Sequence, residues 1–197
     1  MKDEGKSKRK LFETAARLFY RNGYRAIGVD TIAAESGIGK MTLYRHYSSK
    51  DELISAYLQN SNERFWSQFE QITAVASTPR RKLLAFFEAL QEYATSPSCH
   101  GCPFLNVATE YPESGYSGHR LAFEHKKSVH ARFRELSLQA GAHDPDQLAD
   151  ALYLLMDGAY MSARLFGPSP ENPAGRLSNA ARALVDAQCQ TRAHRGV

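Results

Sequence analysis

A chain of 197 residues, 43% hydrophobic and 23% charged, can bury one or two cores, and no window approaches the roughly 20 apolar residues of a membrane span. The basic start MKDEGKSKRK runs into no apolar stretch, so no secretory leader is expected, and three cysteines in such a chain make no disulfide framework. The net charge of +4 is uneven: residues 1–50 hold eleven Lys and Arg against five acids (+6), and the remainder holds 14 against 16 (−2). That asymmetry predicts a polyanion-binding head joined to a body with another task; with neither leader nor span expected, the expected compartment is the cytoplasm.

Apolar residues recur at three and four positions, not alternately, which predicts an all-α fold of about nine helices. The first, about 6–22, puts Leu11, Ala15, Leu18 and Phe19 on one face and stops at Asn22-Gly23. A second covers 29–36 with Val29, Ile32 and Ala33 inward, and Gly37 ends it; a short third covers 40–47. Ser49 caps a fourth, which runs to about 75 through Leu53, Tyr57 and Phe65. Pro79 opens a fifth, 79–95, and the loop SPSCHG leads to a sixth at 103–110. A Gly/Ser loop precedes a long seventh, about 117–140, ended by Gly141. Asp144-Pro145 starts an eighth, to Phe166; GPSPENPAG reads as a proline-rich linker, and a last helix of small residues spans about 174–192.

The segment IAAESGIGKMTLYRHYSSKDEL carries the functional signal. Gly37 suits the left-handed backbone of a tight turn, so residues 28–47 read as helix, turn, helix. In the second helix Ile38, Leu43 and Tyr47 turn inward, while Lys40, Met41, Thr42, Tyr44, Arg45 and His46 share the other face. Those side chains can bond phosphates or meet base edges, and an α-helix fits the major groove of B-DNA. A solvated surface helix in a bundle is the alternative, and it leaves the basic head unexplained.

The run LFETAARLFYRNGYRAIGVDTIAAESGIGKMTLYRHYSSKDEL, from Leu11 to Leu53, resembles the N-terminal domain of the tetracycline-repressor (TetR) family of bacterial transcription factors. GCPFLNVATEYP and LLMDGAYMSARLFG resemble later segments of one branch of that family. The resemblance implies a homodimeric repressor: a helix-turn-helix domain at 1–49 that binds double-stranded operator DNA, and a body at 50–197 that binds a small-molecule effector and dimerises. It places Lys40, Met41 and Arg45 at base-reading positions, Thr42, Tyr44, His46 and Lys50 at phosphate contacts, and Leu43 and Tyr47 in the core. Gly28 and Gly39 stand where the family usually carries a capping Ser or Thr, which puts a hydroxyl–phosphate contact there in doubt.

In the body, Trp66, Phe69, Phe86, Tyr93, Phe104, Tyr153 and Tyr160, with Asp157, have the composition of an effector pocket: mostly apolar walls and a few polar groups. Asp157 interrupts an apolar helical run and needs a partner, either Arg164 or another helix. Gly158 in mid-helix suggests close approach of a second helix, so Gly158, Ala159, Ala180, Ala181 and Leu184 are expected at a contact between two copies. CHGC at 99–102 supplies only two thiol ligands and lacks the second pair of a zinc site; no metal or cofactor is expected. The sequence shows neither a phosphate-cradling Gly-rich loop, nor a Gly-x-Ser-x-Gly elbow, nor a metalloprotease helix, so an enzyme is not expected. A thiol or zinc enzyme built on CHGC and a constitutive architectural DNA-binding protein remain as alternatives.

Overall fold

The computed structural model describes residues 2–189, with side chains from residue 4. These hold nine α-helices and no strand: α1 Lys2–Asn22, α2 Val29–Ser36, α3 Lys40–His46, α4 Lys50–Ala74, α5 Pro79–Ala94, α6 Pro103–Glu110, α7 Ser117–Gln139, α8 Pro145–Phe166 and α9 Leu177–Cys189. Local chemistry explains the ends. Thr78 accepts from the Arg81 amide ahead of Pro79, and Asp144 accepts from the Gln147 amide ahead of Pro145. Gly37 (φ 64°) and Gly141 (φ 76°) supply the left-handed residue after α2 and α7. Residues 190–192 of the expected last helix lie outside the described residues.

The chain divides into two compact units, one formed by residues up to 64 with 103–125, the other by 65–102 with 126 onward. In the first unit Leu11, Leu18 and Phe19 of α1, Ile32 of α2, Leu43 of α3 and Leu53 of α4 are buried. The rings of Phe19, Tyr24 and Tyr57 close that core, with centroids 5.5, 6.1 and 6.2 Å apart.

The second unit is built on α5, whose Phe86 lies among Phe69, Phe87 and Phe133 at 5.2–5.4 Å. Against α5 pack α8 and α9. The segment GPSPENPAG is not the linker its composition suggests. Asn172, 4% exposed, donates to the carbonyls of Ala94 (3.2 Å) and Gly167 (2.8 Å) and accepts from the Ala174 amide (3.0 Å). A buried amide with these bonds satisfied fixes the segment to its own unit. A 3₁₀ turn at Pro173–Arg176 then leads into α9.

Candidate nucleic-acid interface

Helix α2 ends in a double hydrogen bond: the Gly37 amide donates to Ala34 O (3.1 Å) and the Ile38 amide to Ala33 O (3.2 Å). This redirects the chain within three residues, and α3 starts just after Gly39. Neither Gly28 nor Gly39 offers a capping side chain, and none caps these helices. The amides of Thr42 and Leu43 bond instead to the Gly39 carbonyl (2.9 and 3.1 Å).

Leu43 is fully buried and Tyr47 nearly so, as expected of core positions. Around them Lys40, Met41, Tyr44 and Arg45 are exposed, Met41 at 80%. An exposed Met and Tyr between two cations make a surface suited to base edges and phosphates. The partly buried Thr42 hydroxyl accepts from Arg45 Nη2 (3.1 Å), which aligns the guanidinium along the helix. His46 is half-buried, and its Nε2 is buried with no partner among the described residues, so a phosphate cannot reach that atom without moving the ring. Lys50 is also half-buried; burial lowers its ammonium pKa, against the opposing pull of Asp51 and Glu110.

The turn into α4 is tied by a reciprocal cap. Ser49 Oγ accepts from the Glu52 amide (3.1 Å), and the Glu52 carboxylate accepts from the Ser48 amide and hydroxyl (2.6 Å each). These bonds, the hydroxyl's first, hold the Glu52 carboxyl below its ordinary pKa.

Two carboxylates of this unit escaped the sequence reading. Asp30 in the first turn of α2 lies 2.7 Å from Lys40 Nζ. Glu110, at the end of α6, accepts from the backbone amides of Tyr24 (3.0 Å) and Arg25 (2.6 Å), and Tyr24 Oη donates to Pro103 O (2.9 Å). Gly23 has φ 91°, and a Cβ there would stand 2.8 Å from Glu110 Oε1, so glycine serves both conformation and close approach. Arg25 stacks over Tyr111 at 4.8 Å, Tyr111 stacks on Tyr116 at 4.3 Å, and Tyr116 Oη donates to Asp51 (2.9 Å). No periodicity could have revealed a pairing across 85 residues.

The structure does not gather all the aromatic residues expected around an effector. Phe69 and Phe86 are packed inside the core of the second unit, Trp66 lies against it, and Tyr93 is exposed. Phe104 falls in the first unit, stacked on His125 at 3.7 Å. Tyr153, Asp157 and Tyr160 do come together, around Lys126 of α7. Lys126 pairs with Asp157 and lies 5.6 and 6.0 Å from the two rings. The partner Asp157 needs is thus on another helix, and Arg164 bonds the His100 carbonyl instead (3.0 Å). Burial first, then Asp157, raises the Tyr153 phenol pKa; burial raises that of Tyr160, with Cys102, Tyr93 and Cys99 adding to it.

Of the residues expected between two copies, Ala159 and Ala181 are buried in their own core. Their small side chains serve helix packing within one chain. Gly158 and Ala180 are exposed and Leu184 partly so. Cys99 and Cys102 are buried thiols, and no group of three or more His, Cys, Asp or Glu among the described residues could hold a metal ion. No described helix is long and apolar enough to cross a membrane.

Residues 7–57 match the family model for bacterial regulatory proteins of the tetR family, and residues 79–180 match that for the tetracyclin repressor-like C-terminal domain. The chain belongs to the TetR family. It is a DNA-binding transcriptional regulator. The HTH-type transcriptional repressor KstR2 of Mycobacterium tuberculosis is 25% identical over 180 residues, covering 89% of this chain and 88% of that protein. The HTH-type transcriptional activator FasR of Mycolicibacterium smegmatis is 36% identical over 83 residues, covering 42% of this chain and 38% of FasR. A TetR-family regulator from Streptomyces coelicolor superposes with a TM-score of 0.89 at 29% identity, over 94% of this chain and 97% of that one. Another TetR-type regulator, from Streptomyces avermitilis, does so at 0.82 and 32%, over 94% and 99%.

Within this TetR-family head, Glu110 is the side chain that satisfies the amides of the α1–α2 turn. Glu110→Gln puts an amide N–H against a donor and weakens both bonds, by about 1–3 kcal/mol in total. Hydrogen exchange followed by NMR should show faster exchange at Tyr24 and Arg25 while the amides of α8 and α9 keep their rates.

Proposed function

We propose that this regulator is a homodimeric repressor, released from a palindromic operator by a small-molecule effector. The observation that carries it is the face of α3, where Lys40, Met41, Tyr44 and Arg45 are exposed around a single buried anchor, Leu43. Residues 1–49 form the DNA-binding domain, with Lys40, Met41 and Arg45 reading bases and Thr42, Tyr44, His46 and Lys50 meeting phosphates. Residues 50–197 bind the effector and dimerise. The full-length likeness to KstR2 supports repression; the likeness to the activator FasR is confined to a shorter segment.

Dimerisation is supported by one face of α8. Leu154, Gly158, Met161 and Leu165 recur at four, three and four positions, and all are exposed. Beyond its chain neighbours and the backbone of its own helix, a Cβ at Gly158 would meet nothing within 4 Å. Beside it α9 exposes Ala180, Ala183 and Ala187. Two such helix pairs make a four-helix interface, and its two-fold axis requires a palindromic operator whose half-sites lie about one turn, ~34 Å, apart.

The effector site is centred on Lys126, Asp157, Tyr153 and Tyr160, a neutral polar end beside aromatic walls. An effector releases DNA only by binding the incompetent arrangement more tightly than the competent one.

Lys40→Ala and Arg45→Ala should each weaken specific binding by about 1–3 kcal/mol with helicity unchanged, while Lys50→Ala lowers affinity for all sequences and reduces the salt slope by about one. Mobility-shift titrations at several salt concentrations check this, and unchanged binding in all three variants refutes the reader. Leu165→Asp places a charge on a side chain that is 76% exposed, so the fold should survive and sedimentation should show monomer; a persistent dimer puts the interface elsewhere. A ligand found by thermal shift should bind about 5- to 150-fold more weakly when operator is present. Equal affinity with and without DNA sinks induction and favours a constitutive regulator.

A further inference from the structure

Beside the cations of the α3 reading face stands an acid of α2. Asp30 Oδ1 lies 2.7 Å from Lys40 Nζ, and both side chains are well exposed, Asp30 at 81% and Lys40 at 51%. An ion pair so open to water adds little to stability, and in the first turn of α2 the helix N-terminus favours a carboxylate only by about 0.3–1 kcal/mol. On a surface that approaches a polyanion it is also repelled by every phosphate. A carboxylate in that position becomes favourable if it meets a hydrogen-bond donor in the groove.

The major-groove edge of one base pair offers such a donor beside the acceptors Lys40 needs. Guanine presents N7 and O6 as acceptors, and its paired cytosine presents the N4 amino group. O6 and N4 bond each other at about 2.9 Å, close to the separation of Lys40 Nζ and Asp30 Oδ1. A cation and a carboxylate held side by side therefore match acceptor, acceptor, donor in that order. An A·T pair presents acceptor, donor, acceptor, and a reversed C·G pair sets the amino group against the ammonium.

We propose that Asp30 and Lys40 act as one composite reader of a single G·C base pair, Lys40 donating to guanine O6 and N7 and Asp30 accepting from cytosine N4. The inference rests on α3 being the DNA reader. The carboxylate already sets the lysine: its hydrogen bond and charge raise the Lys40 pKa and hold the ammonium toward α2.

The test is selection of bound duplexes from a randomised library by the full-length wild type, Asp30→Ala, Lys40→Ala and Arg45→Ala, followed by titration of the selected site and its single-base variants. Asp30→Ala and Lys40→Ala should both lose preference, by about five-fold or more, at the same G·C pair, while other positions keep theirs. Asp30→Ala should also bind unrelated duplex DNA more tightly, because a negative charge has left the surface. Wild-type preference at every position in Asp30→Ala, or loss at a pair other than the one Lys40→Ala affects, overturns the composite reader and leaves α3 as the reader. An unchanged motif in Lys40→Ala and Arg45→Ala overturns both.

Discussion

A helix of seven residues does not hold together in water, since isolated helices shorter than about 12–15 residues are marginal. Helix α3 exists because Leu43 is fully enclosed by its unit, with Tyr47 beside it. Everything the interface offers to DNA follows from that constraint. With the inward side of the helix occupied by one leucine, Lys40, Met41, Tyr44 and Arg45 face outward, and Thr42 and His46 are partly buried. The αL residue Gly37 sets the direction in which the short helix leaves α2. A rigid turn and a single hydrophobic anchor thus hold side chains whose own contacts contribute little to folding.

Several acids of this unit bond backbone and hydroxyl groups at its turns. Glu110 accepts from backbone amides, Glu52 from Ser48, and Asp51 from a phenol. A carboxylate used this way gives its turn charge-assisted bonds. Glu13, Glu35 and Asp30 are paired with cations, to Arg9, Arg17 and Lys40. Body and head differ here: in the second unit Asp157 meets Lys126 largely out of water, where an ion pair orients groups more than it stabilises.

Much of this was legible in the sequence. Gly37, Ser49, Pro79 and Asp144-Pro145 mark ends that the structure places within a residue or two, because turn and cap chemistry is local. Apolar spacing separated Leu43 and Tyr47 from the outward side chains. Periodicity gives the buried face of a helix but not the neighbour that covers it, so the enclosure of Ala159 and Ala181 by their own chain was not legible in the sequence. Long-range polar partners were invisible for the same reason: Glu110 with the Tyr24 amide, Lys126 with Asp157, Asp30 with Lys40. Composition also misled at GPSPENPAG, where one asparagine outweighs three prolines.

That asparagine bears on how the molecule ages. Asparagine side chains are lost slowly when the backbone nitrogen of the following residue attacks the side-chain carbonyl and forms a cyclic imide. The residue after Asn172 is Pro173, whose ring nitrogen carries no hydrogen and cannot close that imide. The carboxamide is also held by three hydrogen bonds in a buried site, away from the water that would complete the conversion to aspartate. Conversion would bury a charge between the Ala94 and Gly167 carbonyls, so the neighbouring proline protects the chemical lifetime of the join between α8 and α9 as well as its shape.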